Sequence, residues 1–154
     1  MTAHKPHRGG ATVGFVTELD AVEAGAVRYL RLWGEGAVAQ RHVRTDFASA
    51  LGVDAGQRAL QAFAELCDHC LHYGRRPLVR HQVMCRCLGA DEACFANFIA
   101  AAAEGDREDA ILIATLLVRA DMAMCLFDHA ATVGHALRRM TQPGLHASPS
   151  RTVH

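Results

Sequence analysis

The chain has 154 residues, 51% of them apolar, and its 16 basic and 16 acidic side chains cancel to zero net charge with histidine neutral. That length suits one domain with a real hydrophobic core, and that composition excludes disorder for the chain as a whole. Without net charge there is no global electrostatic drive toward nucleic acid or an anionic membrane, so neither partner is favoured.

Residues 1–14, with "KPHRGG", read as a flexible N-terminal tail. The stretch "GGATVGFV" is short and Gly-broken, and Glu18 and Asp20 follow, so no secretory signal is expected. Glu18 to Trp33 places Leu19, Val22, Ala26, Tyr29, Leu30 and Trp33 near one face of a helix that stops at Gly34. Ala37 to Leu51 continues with Ala39, Val43 and Phe47 spaced by four, up to Gly52. Asp54 to Tyr73 is strongly amphipathic: Leu60, Phe63, Cys67, Cys70 and Leu71 form its stripe, and Gly74 is its stop.

Only Ala11 to Thr17 and Leu78 to Leu88 have a pattern open to strand. The second also carries a helical stripe, and the lack of a convincing partner strand favours helix there. Asp91 to Glu104 turns Phe95, Phe98, Ile99 and Ala102 inward and ends at Gly105. Asp106, with Asp109 three residues on, opens a helix whose "AILIATLLV" is apolar all round, which places it at the centre of the domain. That run is too short to span a bilayer, and Arg119 and Asp121 close it. A last helix reaches Met140, either separate or continuous with the preceding one, and residues 141–154 read as a flexible C-terminal tail. The expected fold is all-α: one helical domain over residues 15–140, a bundle of five to seven helices with a very apolar central helix near the C-terminal half.

The densest chemistry lies in "CDHCLHYGRRPLVRHQVMCRC", residues 67 to 87. Cys67, Cys70, Cys85 and Cys87 have spacings near those of a structural zinc site. Cys-x-Cys ligands converge only in extended backbone, since two residues on a helix turn roughly 200°. Zinc therefore requires residues 84–88 to be non-helical. Packing is the favoured account of Cys67 and Cys70, because cysteine on an apolar stripe behaves as a small hydrophobe. A thiol-redox role for Cys67-x2-Cys70 is disfavoured by its place at a helix C-terminus, where the dipole opposes thiolate.

Arg75, Arg76 and Arg80, around a Gly-Arg-Arg-Pro turn, form a candidate anion- or partner-binding surface; otherwise they pair with Glu65, Asp68, Asp91 and Glu92. Cys125 and His129 fall four apart on the inward stripe of the last helix, and Glu65–His69 and Asp68–His72 are expected surface pairs. No G-x-G-x-x-G, P-loop, G-x-S-x-G or H-E-x-x-H occurs, and acids are sparse on the expected inner faces, which leans against an enzyme. The expectation is a small cytoplasmic helical interaction or regulatory protein that binds a protein partner or a second copy, with no cofactor. The alternatives are a zinc-binding regulatory domain and an enzyme with a diffuse helical pocket near Cys125 and His129.

Overall fold

The computed structural model of the chain describes residues 8–142; residues 1–7 and 143–154, which carry parts of both expected tails, lie outside the described residues. Six helices account for most of the described chain: α1 (Ala21–Gly34), α2 (Ala37–Leu51), α3 (Val53–Tyr73), α4 (Ala90–Ala103), α5 (Arg107–Leu117) and α6 (Ala120–Met140). Two short strands, β1 (Thr12–Phe15) and β2 (Cys87–Gly89), complete it. The all-α architecture expected from apolar spacing is the observed one. None of these helices is long and apolar enough to cross a membrane.

Helix boundaries follow local chemistry. Asp20 starts α1 by accepting the Glu23 N–H at 2.8 Å, the N-cap bond that satisfies an otherwise unpaired donor. Gly52 separates α2 from α3 at φ +89°, and Gly105 follows α4 at φ +79°, backbone that a β-carbon disfavours. α5 and α6 are separate helices, broken at Val118 and Arg119. Asp106 precedes α5 without a side-chain capping bond, so the expected cap is not made.

The core is built around α4, where Phe95, Ala96, Phe98 and Ile99 are fully buried. α4 packs on α1, α5 and α6. Tyr29, Phe47, Phe63 and Phe95 form an edge-to-face run with centroid separations of 5.1, 6.2 and 6.4 Å, the geometry that ring quadrupoles prefer. Gly134 lets α6 cross α4 closely: a β-carbon there would lie 2.9 Å from the Ile99 carbonyl oxygen.

The apolar α5 occupies a flank rather than the centre. Ala110, Ala114 and Leu117 face inward, whereas Leu112 and Leu116 are 65% and 69% exposed. A helix apolar on all sides carries no instruction about which face to bury; its alanines allow close approach to α4 and α6, leaving the bulkier leucines outside. Leu71 is similarly turned out, because α3 buries the line Gly56, Ala59, Phe63, Leu66 and Cys70.

Two further expectations are corrected. Leu78 to Leu88 is not helical: it is a loop that ends in β2, and β2 pairs antiparallel with β1 (Thr12 with Gly89, Gly14 with Leu88, Phe15 with Cys87). The missing partner strand lies in the N-terminal segment. Residues 8–14, expected as tail, form a 3-10 turn and most of β1.

Candidate functional site

A charge pair organises the loop between α3 and α4. Arg31 of α1 and Glu92 of α4 are 2% and 0% exposed in their side chains, and their Nε–Oε2 distance is 2.6 Å. The Arg31 Nη2 donates to Glu92 Oε1 at 2.9 Å and to the Cys87 carbonyl at 2.8 Å. Its Nη1 donates to the carbonyls of Cys85 at 2.7 Å and Val83 at 3.4 Å. All five guanidinium donors therefore have acceptors. Glu92 in turn accepts the backbone N–H groups of Gly89 (3.0 Å) and His81 (3.2 Å). Burial opposes ionisation of Glu92, but the Arg31 guanidinium and these N–H donors outweigh it and hold the carboxyl below the usual range. Full satisfaction is what allows two charges to stay buried despite their desolvation cost.

The neighbouring acid holds the other half of the loop. Asp91 makes a two-pronged pair with Arg76 (2.7 and 2.6 Å) and accepts the Val79 N–H at 2.8 Å. Buried Gly9 lies against this pair, where any β-carbon would strike the Asp91 carboxylate and the Arg76 guanidinium. The N-terminal segment is thus a strap over the loop: Gly9 on the ion pair, β1 on β2, the Val16 N–H on the Arg86 carbonyl at 2.9 Å.

The strap and the loop together place one reactive constellation. His81 Nε2 meets the Gly10 carbonyl at 2.9 Å, and His81 Nδ1 lies 3.7 Å from Cys85 Sγ. A carbonyl only accepts, so Nε2 carries a proton and Nδ1 is left facing the thiol as its base. Contact with His81, reinforced by the Cys87 N–H, holds the Cys85 thiol below its ordinary pKa; the same contact with Cys85, then the Gly10 carbonyl, raises His81. Gly89 leaves room for this ring, since a β-carbon there would lie 3.0 Å from His81 Nε2. Cys85 is part of the wall of a cleft of about 570 Å³ between α1, the end of α6 and the 83–86 turn. Val16, Val27, Leu137 and Met140 supply apolar wall, Arg28 and Arg86 supply positive charge, and no acid lines it among the described residues.

Of the residues singled out from sequence, Cys85 and Cys87 lie in this loop and the others lie elsewhere or apart. Arg75 Nε donates to the Thr115 carbonyl on α5 at 2.6 Å, Arg76 is held by Asp91 on α4, and Arg80 lies against Gly34 at the end of α1. The three side chains run to three different elements rather than to one ligand. Cys67 and Cys70 pack on α3, where burial pushes both thiols up, Cys70 to about 12. Cys85 and Cys87 do occupy the non-helical backbone that zinc would need, but the four cysteines do not converge. Among the described residues no group of three or more His, Cys, Asp or Glu is placed to hold a metal ion. Cys125 is exposed rather than inward, and His129 turns to Glu65 on α3 (Nε2–Oε2 3.0 Å). His69 and His72 use Nδ1 on the backbone carbonyls of Glu65 (2.7 Å) and Asp68 (2.8 Å), not on the carboxylates.

The sequence reading assigns no role to Arg31 or His81, and offers Glu92 only as a partner for the turn arginines, whereas it pairs with Arg31. Arg31 did leave a signal, a lone charge inside "YLRLW" on the buried side of its helix. Asp91 and Glu92, acids of the first turn of α4, are expected as partners of the turn arginines, and Asp91 does pair with Arg76. His81-x3-Cys85 has no motif spacing, because a loop and a distant carbonyl bring the pair together.

No protein-family model, curated protein or solved structure matches this chain.

Proposed function

We propose that this is a helical thiol protein in which Cys85 acts as a nucleophile toward a small molecule held in the adjoining cleft, with His81 as its base. The carrying observation is the chain of contacts from the Gly10 carbonyl through His81 to Cys85, which fixes tautomer and orientation as an activated nucleophile needs. Arg31 supports it indirectly by holding the carbonyl of Cys85 itself and those of Val83 and Cys87 two residues to either side. The test uses Cys125, the more exposed thiol, as internal control. With limiting iodoacetamide near neutral pH, peptide mass spectrometry should find Cys85 modified faster than Cys125 despite its lesser exposure. His81→Gln should remove that advantage. Equal or slower reaction at Cys85 would dispose of the proposal.

A second reading is self-association, with a second copy of the chain covering α5. Its support is the exposed pair Leu112 and Leu116, one turn apart, on a chain with no net charge to keep copies apart. Sedimentation should show a species heavier than the monomer that Leu112→Glu with Leu116→Glu dissociates; a wild-type protein that sediments as monomer ends this reading.

A further inference from the structure

The Cys87 thiol has no assigned part in the attack by Cys85, yet it lies only two residues along the chain. Cys85 and Cys87 are separated by one residue in the non-helical run that leads into β2, and Arg86 is exposed between the two half-buried cysteines, the alternation that puts side chains i and i+2 on the same side. Arg31 grips the carbonyl of each, at 2.7 and 2.8 Å, so the spacing of the two residues is fixed by a buried group. Besides His81, the N–H and thiol of Cys87 help to hold the Cys85 thiol below its ordinary pKa. Arg86, between them, points to solvent, while its carbonyl is tied to Val16. The remaining cysteine pair contrasts at every point: Cys67 and Cys70 are packed in the core, and burial keeps them protonated.

We propose that Cys85 and Cys87 form a peroxide-reducing thiol couple, in which Cys85 is the attacking sulfur and Cys87 the resolving one. The inference rests on the nucleophilic Cys85 of the preceding section. In the first step the Cys85 sulfur attacks the outer oxygen of a hydroperoxide. The S–O bond forms as the O–O bond breaks; sulfur is oxidised by two electrons and the peroxide is reduced. The departing alkoxide takes the proton that His81 Nδ1 received from the thiol and leaves as alcohol, or as water from hydrogen peroxide. In the second step the Cys87 sulfur attacks the Cys85 sulfenic acid. The S–S bond forms, the S–O bond breaks, and hydroxide leaves with the Cys87 thiol proton as water. A dithiol reductant resets the couple by exchange, which consumes the disulfide and yields an oxidised dithiol.

The experiment treats the fully reduced protein with one equivalent of hydrogen peroxide and reads intact mass and peptide maps. Wild type should lose two hydrogens, with the link mapped between Cys85 and Cys87, and dithiothreitol should restore it. Cys87→Ser should instead stop at a single added oxygen on Cys85 that dimedone captures. His81→Gln should slow both events. A link at Cys67–Cys70, oxidation of Cys85 beyond the sulfenic stage with Cys87 still free, or no change in mass would each overturn the couple. Alkylation kinetics on the same samples separate the two proposals: fast alkylation of Cys85 without the disulfide defeats the couple alone, and ordinary alkylation defeats both.

Discussion

Glu92→Gln tests the assignment of the buried pair as the anchor of the loop. The substitution keeps the shape and removes the charge. Each oxygen of Glu92 accepts one Arg31 donor and one backbone N–H: Oε1 from Nη2 and Gly89, Oε2 from Nε and His81. A glutamine amide must place its NH2 at one of these positions, so either orientation sets a donor against two donors and leaves Arg31 charged without a counter-ion. Breaking a buried ion pair by removing one partner costs about 3–5 kcal/mol. For a domain of this size that corresponds to a melting temperature lower by roughly 6–20 °C. Urea titration followed by circular dichroism measures the loss, with Arg76→Met as the comparison, because Arg76 is half-exposed and its pair with Asp91 should be worth only about 1 kcal/mol. Arg31→Met with Glu92→Leu should not recover wild-type stability, since it orphans the carbonyls of Cys85 and Cys87 and the N–H groups of His81 and Gly89. A loss below about 1 kcal/mol in Glu92→Gln, or full recovery in the double variant, would refute the reasoning.

The pH response follows from the same carboxylate. Its folded-state pKa is depressed, so its stabilisation is complete above the ordinary carboxylate range and is lost as pH falls through that range toward the folded value; Glu92→Gln should flatten this part of the acid-unfolding curve. Gly9→Val forces the strap away from Asp91 and Arg76, and should both lower the melting temperature and slow alkylation of Cys85 by displacing the Gly10 carbonyl. Gly134→Val overpacks the crossing of α6 on α4, where the β-carbon would meet Ala103 and Ile99, and should cost about 1–3 kcal/mol in urea titration while leaving Cys85 alkylation at its wild-type rate.

The helical architecture was legible because it is written in short-range periodicity and punctuation: Gly52, Gly74 and Gly105 mark ends that the structure keeps. The centre of the bundle was less legible, since the unbroken apolar run "AILIATLLV" points to α5, whereas burial depends on neighbours. The candidate site was hardly legible at all. Its partners are far apart in sequence, with Arg31 61 residues from Glu92 and His81 71 from Gly10, and no spacing rule connects them. Cys85 and Cys87 were visible as residues, but their meaning depended on backbone that only a strand from the N-terminal segment makes extended. Attention went to the arginines of the turn, and the deciding one was the arginine hidden inside an apolar helix.

The contact between His81 and Gly10 also says when the site comes into being. The contact closes a loop of 71 residues, so it needs the chain between Gly10 and His81 to have folded back on itself, at an entropy cost that the rest of the fold must offset. During synthesis Gly10 emerges long before its imidazole partner, and Cys85 stays an ordinary thiol until the chain beyond it has folded. Under the proposed role of Cys85, its reactivity would report maturation: a protein caught part-folded would carry the cysteine but not the chemistry.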